Sequence, residues 1–246
     1  MNKFYLNNYY LTNVHKKMIT KSEITTQMIY GDYFAIIKKY KKWLKVKINN
    51  DGYIGFIKNR RYANFLNPTH KVAVLYANIY KGPNFKKKIG KLSFGSKIKS
   101  SKIFSKFIKF DNKWIEKKNV KNINFKNKNF FSNITMFNNV KYKWGGKTFK
   151  GIDCSALIQI FLNFNNIFCP RDAKDQVKFF NRNIRLQNIK KNDIIYWKGH
   201  VALALSKKLL FHAYGPEKKA LAMNTANTIE KIRKTAKLKI ISIKRI

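Results

Sequence analysis

"GIDCSALIQIF" (residues 151–161) is the stretch that decides the fold of the C-terminal half of this chain. From Cys154 to Phe164 the apolar residues follow helical spacing, and Asp153 stands at the position that caps such a helix. A cysteine at a helix N-terminus feels the positive end of the helix dipole, which lowers its pKa from about 8.5 and favours the thiolate. The stretch therefore predicts a helix that begins at a nucleophilic cysteine.

A thiol nucleophile needs a base, and histidine is the natural choice near neutral pH. His15 and His70 lie far upstream, whereas His200 opens the β-rich run "GHVALAL" and His212 stands in the next run, "LLFHAY". Two neighbouring antiparallel strands would bring these imidazoles together over the helix end. His212 would then orient His200, as the third residue does in Cys-His-Asn systems.

The same residues have simpler interpretations. A histidine in a strand is often a hydrogen-bonded core residue, and a cysteine in an apolar helix often only packs, as we expect of Cys169. Cys154, His200 and His212 could also form a zinc site, but a fourth ligand and a Cys-x-x-Cys motif are missing, so we predict no metal and no cofactor. Two cysteines form no disulfide framework, which agrees with a reducing compartment.

The charge of the chain is strongly basic. Its 246 residues contain 53 Lys and Arg against 11 Asp and Glu, a formal net charge of +42. A polyanionic partner would explain this charge, but the lysines are spread over the whole chain and arginine is scarce. Compositional bias therefore explains the charge better than a dedicated nucleic-acid site, and we expect only weak, salt-sensitive binding to anions.

The N-terminal stretch has no sustained apolar segment followed by a cleavage site, and no stretch reaches the roughly 18 apolar residues of a membrane span. We expect a cytoplasmic protein without a membrane span, with the periplasm as the alternative. The sequence does not determine the oligomeric state, for which we expect a monomer.

Upstream of the helix, residues 22–57 and 72–120 share a pattern of short β-rich runs broken by turn residues. Each contains an aromatic-Gly pair followed by a Trp-aliphatic strand, which favours two duplicated small β-barrels. After the barrels, helix first and strands afterwards predict an α+β unit. The predicted organisation is an N-terminal lead (1–19), a first barrel (20–60), a second, divergent barrel (70–120), a linker (121–133) and the α+β unit (134–246).

Five motifs carry a resemblance to a known family. They are "YKWGG" (142–146), "GIDCSALIQIF" (151–161), "PRDAKDQ" (170–176), "NDIIYWKGHVALAL" (192–205) and "FHA" (211–213). In order and spacing they resemble the NlpC-type peptidases, which are papain-like cysteine peptidases of the bacterial cell wall. "SEITTQMIYGD" and "DGYIGFI" look like the bacterial SH3 domains that precede this domain in cytoplasmic dipeptidyl-peptidases of murein recycling. The resemblance implies a papain-like α+β catalytic domain behind two SH3-like β-barrels.

By that resemblance Cys154 is the nucleophile, His200 the general base and acid, and His212 the orienting residue. The implied substrates are murein stem peptides with a free N-terminal L-Ala. They would be cut between γ-D-Glu and a diamino acid, which releases L-Ala-γ-D-Glu.

The resemblance also implies substrate-binding residues. Asp153 would anchor the ammonium, Tyr142 matches the family's tyrosine, and Ser155 lines the same groove, while Glu23 and Tyr53 would come from the first barrel. On the residues alone, Asp153 is equally well a helix cap.

The chain departs from the family at Ala173, where many relatives have serine, and at Asn192, where glycine is usual. The segment after the second catalytic histidine also lacks the histidine-rich stretch of some relatives. These departures leave substrate choice open. Two alternatives remain: an exported endopeptidase that acts on intact peptidoglycan, and an inactive basic protein that binds murein or nucleic acid.

Overall fold

The computed structural model describes residues 3–246, which form two β-rich units followed by an α+β unit. The first unit is an antiparallel sheet of seven strands in the order β3-β2-β6-β5-β4-β1-β7. The strands are β1 (Phe4–Leu6), β2 (Leu11–His15), β3 (Ile24–Ile29), β4 (Tyr33–Lys39), β5 (Trp43–Ile48), β6 (Ile54–Lys58) and β7 (Ala63–Asn64). Its core contains Val14, Met28, Phe34, Leu44, Val46, Ile48 and Ile57.

Two sequence expectations for this unit need correction. Residues 1–19 were predicted to be a lead, but β1 pairs with β4 and β2 pairs with β3, so the described part of that segment belongs to the sheet. These strands are short and rich in Asn and Tyr, and they therefore show no clear period-two pattern. Within the described residues no ladder joins the edge strands β3 and β7, so the structure shows a β-sheet unit and not a closed barrel.

The second unit contains two antiparallel sheets, with strand orders β10-β9-β14-β13-β12 and β11-β8-β15. The strands are β8 (His70–Val72), β9 (Tyr76–Tyr80), β10 (Lys88–Ser93), β11 (Lys97–Ile98), β12 (Lys102–Phe104), β13 (Phe107–Phe110), β14 (Lys113–Glu116) and β15 (Val120–Asn122). This unit is likewise not a closed barrel in the described chain. Tyr30 of the first unit packs into its core against Phe110, with ring centroids 5.6 Å apart.

The third unit is α+β and contains three helices and two sheets. It comprises β16 (Lys147–Thr148), β17 (Gly151–Ile152), α1 (Cys154–Phe164), α2 (Ala173–Phe179), β18 (Ile194–Trp197), β19 (His200–Ser206), β20 (Leu209–Tyr214), β21 (Lys219–Asn224), α3 (Thr225–Ala236) and β22 (Ile240–Lys244). The main sheet has the order β21-β20-β19-β18-β22, and β16 pairs with β17. Single 3-10 turns lie at Lys117–Asn119, Ile134–Phe137 and Leu186–Asn188.

Both faces of the main sheet are covered, which explains why its strands are almost continuously apolar. Alternate residues such as Tyr196 and Phe211 pack in the core that contains α1, while Trp197 and Leu210 pack in a second core with Ile232 of α3. Side chains on successive strand positions point to opposite faces, so one apolar run serves both cores. The sheet thereby holds α1 in a fixed position on one side.

The secondary structure of the third unit largely agrees with the sequence. The helix predicted from Cys154 to Phe164 is α1, with the same ends, and a helix follows Pro170 as expected. The three β-like runs are β18 to β20, and the tail is the edge strand β22. Strand β21 and helix α3 were not predicted.

The two β-rich units are bound to the third unit through hydrogen bonds. From the first unit, the Thr26 hydroxyl accepts a bond from Arg171 (2.7 Å), and the Asp51 carboxylate accepts one from Gln159 of α1 (2.9 Å). From the second unit, the Lys71 ammonium donates to the carbonyl of Phe164 at the end of α1. The helix that begins at the cysteine is therefore held by both β-rich units.

Within the described chain, no helix has the length and apolar character that a membrane crossing requires.

Candidate active site

Cys154 is the first residue of α1, and its side chain is buried. Asp153 is the N-cap: its backbone is extended, and its Oδ1 accepts a bond from the N–H of Ala156 at 2.8 Å. The first N–H groups of a helix have no partner within the helix, so the peptide dipoles at this point are directed toward an incoming negative charge. The cap thus fixes the position of the thiol relative to the helix start.

The Asp153 carboxylate makes several other contacts. Arg171 binds both of its oxygens, Nη1 to Oδ1 at 3.1 Å and Nη2 to Oδ2 at 2.5 Å, and both side chains are almost fully buried. The N–H of Gly145 (2.9 Å) and the hydroxyl of Ser155 (3.2 Å) also donate to it. The prediction that Asp153 holds a substrate ammonium disagrees with this geometry, because the charge of the carboxylate is already paired with a guanidinium. Asp153 instead positions the helix start.

His200 and His212 lie on the neighbouring strands β19 and β20, and Nε2 of His200 is 2.8 Å from Nδ1 of His212. His212 is buried, and its Nε2 lies 3.3 Å from the thioether sulfur of Met223 on β21. The ring of Tyr214 is stacked on His212, with centroids 4.8 Å apart and planes 10° apart. The structure thus brings together the two histidines that the sequence selected.

The thiol lies at the beginning of β19. The backbone N–H of Val201, the residue after His200, is directed at the sulfur of Cys154, and so is the N–H of Ser155. Nevertheless burial, together with the Asp153 charge, raises the pKa of the Cys154 thiol to about 12. The sequence predicted a lowered pKa from the helix dipole, and the structure contradicts it because desolvation outweighs the dipole at a buried sulfur.

Burial acts on the imidazoles in the opposite direction, because their charged form is the cation. Burial, reinforced by His212, lowers the pKa of His200 to about 3, and burial lowers that of His212 to about 4. At neutral pH the thiol and both imidazoles are therefore uncharged.

A cleft of about 620 Å³ opens over the thiol. One wall comes from the first unit and includes Glu23, Thr25 and Tyr53, and the other comes from the third unit. The third unit contributes Trp144, Asp153, Cys154, Ser155, Arg171, Asp172, Ala173, Lys174, Lys198 and Gly199. Of the predicted substrate-binding residues, Glu23, Tyr53, Asp153 and Ser155 line this cleft.

Tyr142 is not among the residues that line the cleft. Its backbone pairs with Ile152, just before the cap, and its ring lies against the backbone of Gly215. Burial raises the pKa of its hydroxyl, with smaller effects from the charges of Cys154 and Asp153. Its position is therefore close to the helix start, while direct contact with a substrate stays a prediction.

Two carboxylates and a tyrosine, Glu23 and Tyr53 of the first unit and Asp172 of the third, line the cleft. Burial raises the pKa of Tyr53, with further effects from the charges of Asp172 and Glu23. Burial also raises the pKa of Asp172, which immediately precedes α2 and makes no side-chain capping bond. Glu23 accepts a hydrogen bond from Trp144 Nε1 at 2.8 Å and pairs with Lys16 at 3.1 Å. These carboxylates, unlike that of Asp153, have no guanidinium partner in the described structure.

Sequence reasoning missed Arg171, Asp172, Trp144 and Met223 as site residues. Arg171 and Asp172 stand in "PRDAKDQ", and the only available signal was an arginine inside a motif of a chain whose basic residues are nearly all lysines. Met223 gave no signal, because it lies on a strand that the sequence did not predict.

A helix that begins at a cysteine, packed on an antiparallel sheet that carries paired histidines, defines a papain-like α+β domain. Comparison with known families agrees. Residues 139–236 match the model of the NlpC/P60 family, and residues 18–60 match that of the bacterial dipeptidyl-peptidase Sh3 domain. The chain therefore contains an NlpC/P60 domain preceded by a bacterial SH3 domain.

Two curated relatives align with part of the chain. Dipeptidyl-peptidase 6 of Lysinibacillus sphaericus is 39% identical over 72 residues, which are 29% of this chain and 27% of the relative. The probable endopeptidase NlpC homolog of Haemophilus influenzae is 32% identical over 78 residues, 30% of this chain and 41% of the relative. The chain thus aligns with less than half the length of either relative.

Solved structures share the fold of nearly the whole chain. An NlpC/P60 family protein from Bacillus cereus superposes with a TM-score of 0.84 at 16% identity, over 98% of this chain and 99% of that one. An NlpC/P60 endopeptidase from Photobacterium damselae gives a TM-score of 0.69 at 13% identity, over 98% of this chain and 70% of that one. These solved structures therefore share the fold of this chain.

Proposed function

We propose that this chain is a cysteine peptidase that cleaves murein stem peptides with a free N-terminal L-Ala. The cut falls between γ-D-Glu and the diamino acid and releases L-Ala-γ-D-Glu. The observation that carries this proposal is the composition of the cleft: the wall opposite Cys154 comes from the SH3-bearing first unit. The Glu23–Trp144 hydrogen bond joins that wall to the NlpC/P60 domain. A cleft walled in this way suits the free end of a short peptide better than the middle of a long peptidoglycan strand.

The proposed reaction is acyl transfer. His200 removes the thiol proton as Cys154 attacks the carbonyl carbon, a thioester forms, and the protonated imidazole gives its proton to the leaving amine. The backbone N–H of Cys154, at the start of α1, would stabilise the oxyanion. Water then hydrolyses the thioester with His200 as base. No step in this scheme needs a metal or a cofactor.

The free amino group of the substrate is proposed to bind between the carboxylates of Glu23 and Asp172, beside Tyr53. An ammonium in a closed subsite needs carboxylates and hydrogen-bond acceptors, and the charges of Asp172 and Glu23 both raise the pKa of Tyr53, so both carboxylates lie near its hydroxyl. Asp153 is left out of this subsite because its pair with Arg171 is buried, whereas the pair of Glu23 with Lys16 is exposed to solvent, so that a substrate amine can replace the lysine at low cost. Ser155 and Tyr142 remain proposed groove residues.

The test is digestion of L-Ala-γ-D-Glu-diaminopimelate beside its N-acetylated form, followed by mass spectrometry. We expect release of L-Ala-γ-D-Glu from the free peptide only and complete loss of release in Cys154→Ala. Equal cleavage of both peptides would contradict the amine subsite, and retained activity in Cys154→Ala would contradict the nucleophile.

A second candidate is an endopeptidase that acts on intact peptidoglycan, which the similarity to the probable endopeptidase of Haemophilus influenzae favours. The recycling proposal implies a cytoplasmic enzyme and the second candidate an exported one, so fractionation of cells separates them. A third, an inactive basic protein that binds murein or nucleic acid, predicts that wild-type protein cleaves neither peptide.

A further inference from the structure

The histidine pair has an additional neighbour at Nε2 of His212. Met223, half-buried on β21, places its sulfur 3.3 Å from Nε2 of His212, whose Nδ1 lies 2.8 Å from Nε2 of His200. Stacking on Tyr214 fixes the plane of the His212 ring, and therefore the direction of both of its nitrogens. Because His212 is buried, water does not replace the methionine as a hydrogen-bond partner.

These contacts determine where the protons are. A thioether sulfur accepts a hydrogen bond but has no hydrogen to donate. A bare Nε2 on His212 would place its lone pair against the lone pairs of the sulfur, whereas a protonated Nε2 donates an N–H···S bond. His212 is thus favoured as the tautomer with hydrogen on Nε2 and a bare Nδ1.

The bare Nδ1 of His212 in turn requires a hydrogen on the facing Nε2 of His200. A neutral imidazole carries only one such hydrogen, so Nδ1 of His200 is left bare. In the opposite arrangement, His200 would carry its hydrogen on Nδ1 and have no lone pair for the thiol. Only the first arrangement can accept the proton of Cys154.

We propose that Met223 is a positioning residue that sets the tautomers of both imidazoles, so that His200 presents a bare Nδ1 to the thiol. This inference deepens the proposed function and rests on it. When Cys154 attacks, its proton moves to Nδ1 of His200 and the sulfur's electron pair forms the new bond to carbon. The resulting imidazolium keeps its Nε2–H bond to His212, which is then charge-assisted, and no proton leaves His212.

The experiment uses ¹⁵N-histidine-labelled full-length protein and reads the protonation of each ring nitrogen by NMR, with signals assigned by single histidine substitutions. In wild-type protein we expect hydrogen on Nε2 of both His200 and His212. Met223→Leu keeps the volume but removes the acceptor, so a mixture of tautomers should appear at both rings. Met136→Leu is the matched control, because Met136 is a half-buried methionine packed on the core of the same domain.

Activity provides a second measurement. For Met223→Leu we expect kcat to fall roughly two- to tenfold with little change in KM, the range that the loss of one hydrogen bond supports. Met223→Gln, whose amide oxygen can accept from His212, should restore both the tautomers and kcat. A merely structural role would leave the tautomers unchanged and would not be rescued by glutamine.

Wild-type tautomers in Met223→Leu, or hydrogen on Nδ1 of His212 in the wild type, would overturn the inference. Because the NMR measurement needs no substrate, it decides the role of Met223 even if the wild-type protein cleaves no peptide. Failure of this inference and failure of the proposed function are therefore distinguishable.

Discussion

Replacement of Arg171 by methionine tests the positioning of the nucleophile helix. The Arg171 and Asp153 side chains are 2% and 7% exposed and are joined by two hydrogen bonds. Arg171→Met leaves the Asp153 carboxylate buried without its counter-charge, and breaking such a pair costs about 3–5 kcal/mol. For a chain of this length that corresponds to a fall of roughly 6–20 °C in the unfolding midpoint. Bonds from Arg171 to Thr26 and Ser155 are lost as well.

The assay is a double-mutant cycle measured by urea unfolding and by calorimetry. Asp153→Asn alone leaves a buried guanidinium, whereas Arg171→Met combined with Asp153→Asn removes both charges. The double variant should therefore be less destabilised than the sum of the single variants, with a coupling of about 1–3 kcal/mol.

Arg233→Met is the matched control, because Arg233 pairs with Glu230 on the surface of α3, where the side chains are 61% and 45% exposed. An exposed pair is worth at most about 1 kcal/mol. Similar losses for Arg171→Met and Arg233→Met, or additivity within about 0.5 kcal/mol in the cycle, would refute the positioning role of the buried pair.

Gly145 and Gly199 both have positive φ (71° and 76°), but a Cβ on Gly145 would lie 2.3 Å from the Ile24 carbonyl oxygen, whereas no described atom lies within 4 Å of one on Gly199. Backbone strain should lower the free energy of unfolding of both alanine variants by about 1–2 kcal/mol. Gly145→Ala should be destabilised further, because its Cβ pushes the Ile24 backbone of the first unit away from the third unit. Equal thermal midpoints for the two variants would contradict this. The pKa values of His200 and His212, lowered to about 3 and about 4, mean that the unfolded chain binds more protons below about pH 6.5. The free energy of unfolding should then fall as the pH drops toward 4. His212→Gln should reduce that slope in urea titrations at several pH values, and an unchanged slope would count against the buried neutral pair.

The sequence predicted those elements whose pattern is local. The apolar spacing of α1 and the β-rich runs of β18 to β20 are continuous because both faces of the main sheet are buried. Helix α3 escaped prediction because it buries only three residues, Thr225, Thr228 and Ile232, and its polar and charged residues dilute the periodicity. Strands β1 and β2 were not predicted because they are strands through pairing with β4 and β3, and their own composition shows no strand pattern.

At the site, the pairing of His200 with His212 could be predicted from neighbouring strands, but the partner of Asp153 could not. Chemistry and spacing select Cys154, His200 and His212 as candidates, and the family resemblance supplies the role that each is predicted to play. The role of Asp153, however, depends on Arg171, 18 residues later, and through it on Thr26, 145 residues from Arg171. The pKa of the thiol likewise depends on burial, which only the packed structure shows.

The attachment of α1 to both β-rich units limits how this protein could evolve by exchange of parts. Asp51 accepts a hydrogen bond from the middle of the helix, and Lys71 donates one to its last residue. Thr26 contacts the start of the helix indirectly, through Arg171. In a catalytic fragment cut free from these units, Arg171 would keep Asp153 but lose Thr26, the Gln159 amide would lose Asp51, and the Phe164 carbonyl would lose Lys71. Transfer of the NlpC/P60 domain alone into a new fusion protein would therefore need compensating substitutions on the side of the helix that faces the β-rich units. Engineered fusions should accordingly keep all three units together.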